Sequence, residues 1–106
     1  MTYSDIKTAL LTVIDKVYHH APPQNVSGNY IIWAEDGDIG LWAEGRLAEP
    51  IISGKAFYYT KDEYDGNVSK IQNVFVGSAA TISLIGVEHN EDTGYIEYEF
   101  RFAAMK

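Results

Sequence analysis

The chain has 106 residues, of which 46% are hydrophobic, enough for one folded domain around one core and too apolar for a disordered segment. Its net charge is −7, and its eight Lys and Arg residues are scattered with no two adjacent, which excludes the basic stripe that nucleic acid or an anionic membrane surface requires. Cysteine is absent, so disulfide scaffolds, thiolate zinc sites and cysteine catalysis are excluded.

Met1-Thr2-Tyr3-Ser4-Asp5 lacks the basic start and apolar core of an export signal, and no run approaches the roughly 20 apolar residues of a membrane span. Residues 4–18 place Ile6, Leu10, Val13, Ile14, Val17 and Tyr18 at spacings of three and four, which predicts an amphipathic helix. Thr2 or Ser4 can cap its start, and Asp5 suits its first turn. Pro22 and Pro23 stop it and make residues 21–28 a loop. Tyr30-Ile31-Ile32-Trp33-Ala34 predicts a strand apolar on both sides, covered on both faces or turned toward a partner on one. Glu35-Asp36-Gly37-Asp38 has turn composition, and Leu41-Trp42-Ala43-Glu44 fits either a short strand or an ordered loop.

Residues 50–60 predict a long second strand in which Gly54 marks a bulge or a bend. Asp62 to Gly66 lead into a helix with Asp65 or Asn67 as its cap, Val68, Ile71, Val74 and Phe75 as its apolar side, and Gly77 as its end. Ile82, Leu84, Ile85 and Val87 form the next strand, and residues 89–94 a loop. Ile96, Tyr98, Phe100 and Phe102 then alternate with Glu97, Glu99 and Arg101, the pattern of a half-buried antiparallel strand closing a C-terminal β-hairpin. The order predicts a single α+β domain over 1–106. Its antiparallel sheet has about four strands, with the N-terminal helix and the second helix packed on one face.

Catalytic constellations are missing. His19 and His20, adjacent at the helix end, diverge by about 100° and converge poorly on one ion. A calcium loop counted from Asp36 puts Leu41 sixth and Leu47 twelfth, where glycine and glutamate are required. Glu97 and Glu99 sit beside Arg101 on a wet strand face and read as solvated alternation rather than an acid–base pair. No serine has a Gly-x-Ser-x-Gly setting, and Ser53-Gly54-Lys55 lacks the upstream glycines of a phosphate loop. With no nucleophile, base and oxyanion donor to name, neither enzymatic activity nor a cofactor or native metal is expected. Trp33, Trp42, Tyr58 and Tyr59 remain. Tyr58 and Tyr59 are neighbours in a strand and point to opposite faces. Either the core and the tolerance of Tyr for water account for both rings, or the second face packs on another subunit.

From Tyr30 onward the chain resembles the small tail-completion or tail-terminator (head–tail joining) proteins of long-tailed bacteriophages and prophages. The pieces that carry the likeness are Tyr30-Ile31-Ile32-Trp33, Ala43-Glu44-Gly45, Ala56-Phe57-Tyr58-Tyr59-Thr60-Lys61, Glu63-Tyr64-Asp65, Ser69-Lys70-Ile71-Gln72 and Tyr95-Ile96-Glu97-Tyr98-Glu99-Phe100. The chain departs from the pattern at Gly66, where proline is expected, and at Glu44-Gly45, which replaces Asp-Asn. The resemblance implies a structural protein. Such a protein assembles as a homo-oligomeric ring, often a hexamer, contacts tail-tube or head-connector proteins, and resides in the virion or in the host cytoplasm during assembly. A ring needs two complementary patches per subunit. Leu41, Trp42, Tyr58 and Tyr59 are the expected interface residues, and an unpaired edge of the strand at 50–60 is the expected site of strand addition. The alternative is a small, non-catalytic ligand-binding or regulatory α+β domain with a cavity between sheet and helices lined by Trp33 and Tyr58.

Overall fold

The computed structural model describes residues 1–43 and 46–105, and the side chains of residues 37–50 lie outside that description. Helix α1 (Tyr3–Leu11) begins at a capping box. Thr2 Oγ1 accepts from the Asp5 N–H at 3.2 Å, and Asp5 Oδ2 accepts from the Thr2 N–H at 2.8 Å, which satisfies two otherwise orphaned donors. The helix is shorter than its apolar spacing predicts. Thr12-Val13-Ile14 is a β-branched run, poorly suited to continue a helix, and Thr12 Oγ1 turns back to the Ala9 carbonyl at 2.6 Å. Residues 17–19 leave the helix altogether and form strand β1 (Val17–His19).

Strand β2 (Tyr30–Ala43) and strand β3 (Arg46–Thr60) are far longer than the usual five or six residues. Helix α2 (Asn67–Gln72), strand β4 (Ala80–His89) and strand β5 (Ile96–Met105) complete the chain. The sheet is α+β and mixed rather than wholly antiparallel, with five strands in the order β1-β2-β3-β5-β4. β1 runs parallel to β2, and the remaining pairs are antiparallel. The predicted strand at 30–34 and residues 41–43 of the undecided segment at 41–44 belong to one continuous strand, while Glu44 lies outside the described residues. The turn-like Glu35-Asp36-Gly37 serves as a bulge within it, where the register shifts by one residue. Asp36 is held there by hydrogen bonds from Ser53 Oγ and, at 3.5 Å, from Arg101 Nη2. Gly54 carries no bulge of its own; it pairs in register with Glu35 on one side and Phe102 on the other.

One face of the sheet bears both helices. Ile6 and Leu10 of α1, Ile71 of α2 and Phe75 beyond it pack with Ile31, Trp33, Tyr58, Phe100 and Phe102 in one core. The other face carries half-buried Ile32, Phe57 and Tyr59, and among the described residues no helix lies over them. No helix among the described residues is long and apolar enough to cross a membrane.

Candidate functional site

The segment that joins β3 to α2 is organised by one carboxylate. Asp65 Oδ2 accepts from Tyr58 Oη at 2.5 Å, Thr60 Oγ1 at 2.7 Å and Asn29 Nδ2 at 3.2 Å, while Oδ1 accepts from the Asn67 N–H at 2.8 Å. Asn67 Nδ2 then donates to Tyr58 Oη at 3.1 Å. Burial of the carboxyl works to raise its pKa. The hydrogen bonds from Tyr58, Thr60 and Asn67, with Lys70 nearby, outweigh it and hold the group below its ordinary value. This hub fixes which of the two neighbouring tyrosines turns inward. Tyr58 is 0% exposed, its ring in the core and its hydroxyl spent on Asp65. As folded, it offers no surface to a partner, which corrects the expectation that places it at an interface.

Tyr59 points the other way. Its ring stacks on Tyr30 at 4.7 Å between centroids, and Tyr95 meets both rings edge-on. Its hydroxyl donates to Glu97 Oε1 at 2.7 Å. Cross-strand register explains the grouping, since Tyr30, Tyr59, Glu97 and Glu88 lie opposite one another on four successive strands and so share one face. They line an open cleft of about 560 Å³ together with His89, Asn90, Glu91, Thr93 and Tyr95. Three acids and three aromatic rings make it suited to a basic group, and Lys61 already lies 4.8 Å over the Tyr95 ring. Sequence reasoning reached Tyr59 but not Tyr30, Tyr95 or Glu97 as its companions; the signal was the register of the long strands. Trp33 and Tyr58 line neither this cleft nor the smaller one at Gly86, Val87, Glu88, Glu97 and Glu99.

Burial, followed by the hydrogen bond to Glu97, pushes the Tyr59 hydroxyl well above the ordinary tyrosine pKa. Burial, followed by Asp65, pushes Tyr58 up to about 12. A folded-state pKa raised in this way stabilises the protein fully below the unfolded value of about 10, and that stability is lost as pH rises through the folded value. Stability set by these two groups is therefore expected to be flat through neutral pH and to fall above about pH 10. Burial also raises the Tyr30 hydroxyl, so ultraviolet titration of tyrosinate is expected to show three late-ionising rings, one fewer in Y59F.

Two features of the sheet border face outward. Among the described residues, pairing between β3 and β5 runs to Ile51↔Met105, and β1 meets β2 from Ile31 to Trp33. Beyond Ile39↔Ile51 the pairs Gly40↔Pro50, Leu41↔Glu49, Trp42↔Leu47 and Ala43↔Arg46 continue as a two-stranded ribbon. Leu41 and Trp42 therefore lie on this ribbon, though their side chains are outside the described part. The strand at 50–60 is not an edge, because β2 and β5 flank it from Ile51 on; the sheet edges are β1 and β4. Residues 80–87 of β4 carry no charge, and Ile85 and Val87 are 50% and 57% exposed. Such an edge lacks the charged residues that commonly protect one.

The sequence matches no protein-family model and no curated protein.

Proposed function

We propose that this chain is a structural subunit of a long-tailed phage or prophage. It completes or terminates the tail tube and joins it to the head by assembling into a ring, and it performs no catalysis. The observation that carries the reading is the β2–β3 ribbon. Four residue pairs extend past the rest of the sheet, roughly 13 Å at the usual rise per residue, and the molecule measures 50 × 26 × 22 Å. A two-stranded ribbon is marginal in water without a third strand or a packed face. Pairing with another subunit supplies both. The uncharged edge of β4 is the complementary patch, and a ribbon-to-edge contact is heterologous, the kind that closes rings. The resemblance in the sequence from Tyr30 onward supports the same reading, under which the working protein resides in the virion, or in the host cytoplasm during assembly.

Sedimentation of the untagged protein, alone and with tail-tube protein, tests this. The full chain is expected to form a discrete oligomer or to join the tube. A variant with residues 40–50 replaced by Asn-Gly, which closes Ile39↔Ile51 with a two-residue hairpin loop, is expected to stay folded and monomeric. The double substitution I85K/V87K on β4 is expected to do the same. A full chain that remains a monomer and ignores the tube overturns the proposal.

The acidic aromatic cleft favours a second reading, a small non-catalytic ligand-binding or regulatory domain taking a cationic ligand. Saturable stabilisation by small quaternary ammonium compounds, lost in Y59F and E97Q, distinguishes it from assembly.

A further inference from the structure

His19, His20 and Glu35 meet at the β1 edge of the sheet. His19 ends β1 and pairs with Trp33, and Glu35 lies two residues further along β2, on the same face as Trp33. His20 has φ 70°, the left-handed region that costs a residue with a Cβ roughly 1–2 kcal/mol. Backbone hydrogen bonds impose it, since the His20 N–H donates to the Trp33 carbonyl at 2.8 Å and the Ala21 N–H to the His19 carbonyl at 2.9 Å. This turn, rather than a helix, brings two adjacent histidines together. Their rings stack with centroids 3.8 Å apart, and His19 stacks in turn on Trp33 at 4.1 Å. Trp33 is 4% exposed, so the inner end of the stack is anchored in the core while the outer end is open to solvent.

Both Nε2 atoms reach one carboxylate. His19 Nε2 is 2.8 Å from Glu35 Oε2, and His20 Nε2 is 2.8 Å from Oε1. The three donor groups lie within 4.8 Å of one another.

We propose that His19, His20 and Glu35 form a binding site for a divalent transition metal such as Zn²⁺ or Cu²⁺, with solvent completing the coordination. The donor set decides the class of ion: two imidazole nitrogens and one carboxylate suit Zn²⁺ and Cu²⁺, whereas Mg²⁺ and Ca²⁺ take oxygen donors. Metal–ligand bonds of about 2.0–2.1 Å set tetrahedral ligand atoms roughly 3.3 Å apart, so the side chains need only rotate to admit the ion between the rings and the carboxylate. Each Nε2 must present its lone pair to the ion, so any proton it carries leaves by loss to solvent or by transfer of the ring proton to Nδ1. Glu35 supplies the negative charge. The strained turn at His20 and the Trp33 stack hold the two rings together before any ion arrives, which lowers the ordering cost of binding.

The test uses the full, untagged chain. Calorimetric titration with Zn²⁺ is expected to show one equivalent bound, with H19A, H20G and E35Q each weakening binding at least about tenfold. H20G removes the ring while keeping a residue that adopts the left-handed turn freely, so its loss of binding reports the ligand and not the backbone. Cu²⁺ is expected to quench the emission of Trp33, two stacked rings away from His20, to saturation at one equivalent, and this quenching is expected to vanish in H20G. Absence of saturable Zn²⁺ binding, or binding that persists in H19A/H20G, overturns the proposal and leaves the cluster as a hydrogen-bonded triad only.

Discussion

Replacing Asp65 with Ala is expected to lower stability by about 3 kcal/mol, the loss of a charged acceptor serving several donors at once, moderated by partial exposure and non-additivity. For a domain of this size that is a fall in Tm of roughly 10–20 °C. The carboxylate ties together residues far apart in the chain: Asn29 before β2, Tyr58 and Thr60 at the end of β3, and Asn67 at the start of α2. Removing it leaves the Tyr58 hydroxyl buried without its acceptor, and α2, only six residues long, loses its anchor to the sheet. D65N is expected to fall between wild type and D65A. Its single carbonyl oxygen can face the three side-chain donors, but its amide then opposes the Asn67 N–H. The pH dependence gives a second readout. Because the folded-state pKa of Asp65 is depressed, its stabilisation is present above the unfolded value of about 4 and is lost as pH falls through the folded value. The gap between wild type and D65N in chemical denaturation is therefore expected to be constant at neutral pH and to narrow in acid below about pH 4. A gap independent of pH, or a D65A protein as stable as wild type, removes Asp65 from this role.

The same hub shows what could be read along the chain and what could not. Alternation from Ile96 to Phe102 identified β5, because one face of that strand is buried and the other wet, and Phe100 and Phe102 do lie in the core at 0% and 1% exposure. Alternation also put Tyr58 and Tyr59 on opposite faces. It could not say which turned inward, since that depends on Asp65 and Asn67 meeting the Tyr58 hydroxyl across the β3–α2 connection. Helical spacing misled at residues 13–18. A turn followed by a short edge strand buries Val17 as well as a helix would, and its pairing with Ile31 is invisible locally. The same difference reaches His19 and His20: a divergence of about 100° holds for neighbours on a helix, and these residues lie on a strand and a left-handed turn. Turn composition at Glu35-Asp36-Gly37 was real but served a bulge. Two strands of 14 and 15 residues thus replaced the shorter pieces expected, and with them came the ribbon on which the assembly reading depends.

Gly54 lies in the body of the sheet between Glu35 and Phe102, beside the bulge that precedes the ribbon, and G54A is expected to destabilise the protein by about 3 kcal/mol, the upper end of what overpacking a close contact costs. The reason is space. A Cβ at this position would lie 2.3 Å from the Ala34 carbonyl oxygen and 2.5 Å from Phe102 Cζ. The first contact is with backbone of the neighbouring strand, which moves only if β2 separates from β3. The second is with a ring that is 1% exposed and has little room to withdraw. The two contacts can be separated by a double-mutant cycle with F102L. Trimming the ring is expected to recover part of the loss, giving a coupling of about 1 kcal/mol, and the remainder is expected to persist because the Ala34 oxygen is still in place. Urea denaturation of the four proteins measures this directly. Full additivity would place the cost in the backbone contact alone, full rescue would place it in the ring alone, and an undiminished midpoint in G54A would mean that β2 and β3 can part at this rung without loss. Because the rung adjoins the bulge at Asp36, which sets the course of β2 toward the ribbon, G54A in the native range is also expected to weaken self-association. A variant that loses stability and still assembles like wild type would show that the ribbon keeps its orientation independently of this packing.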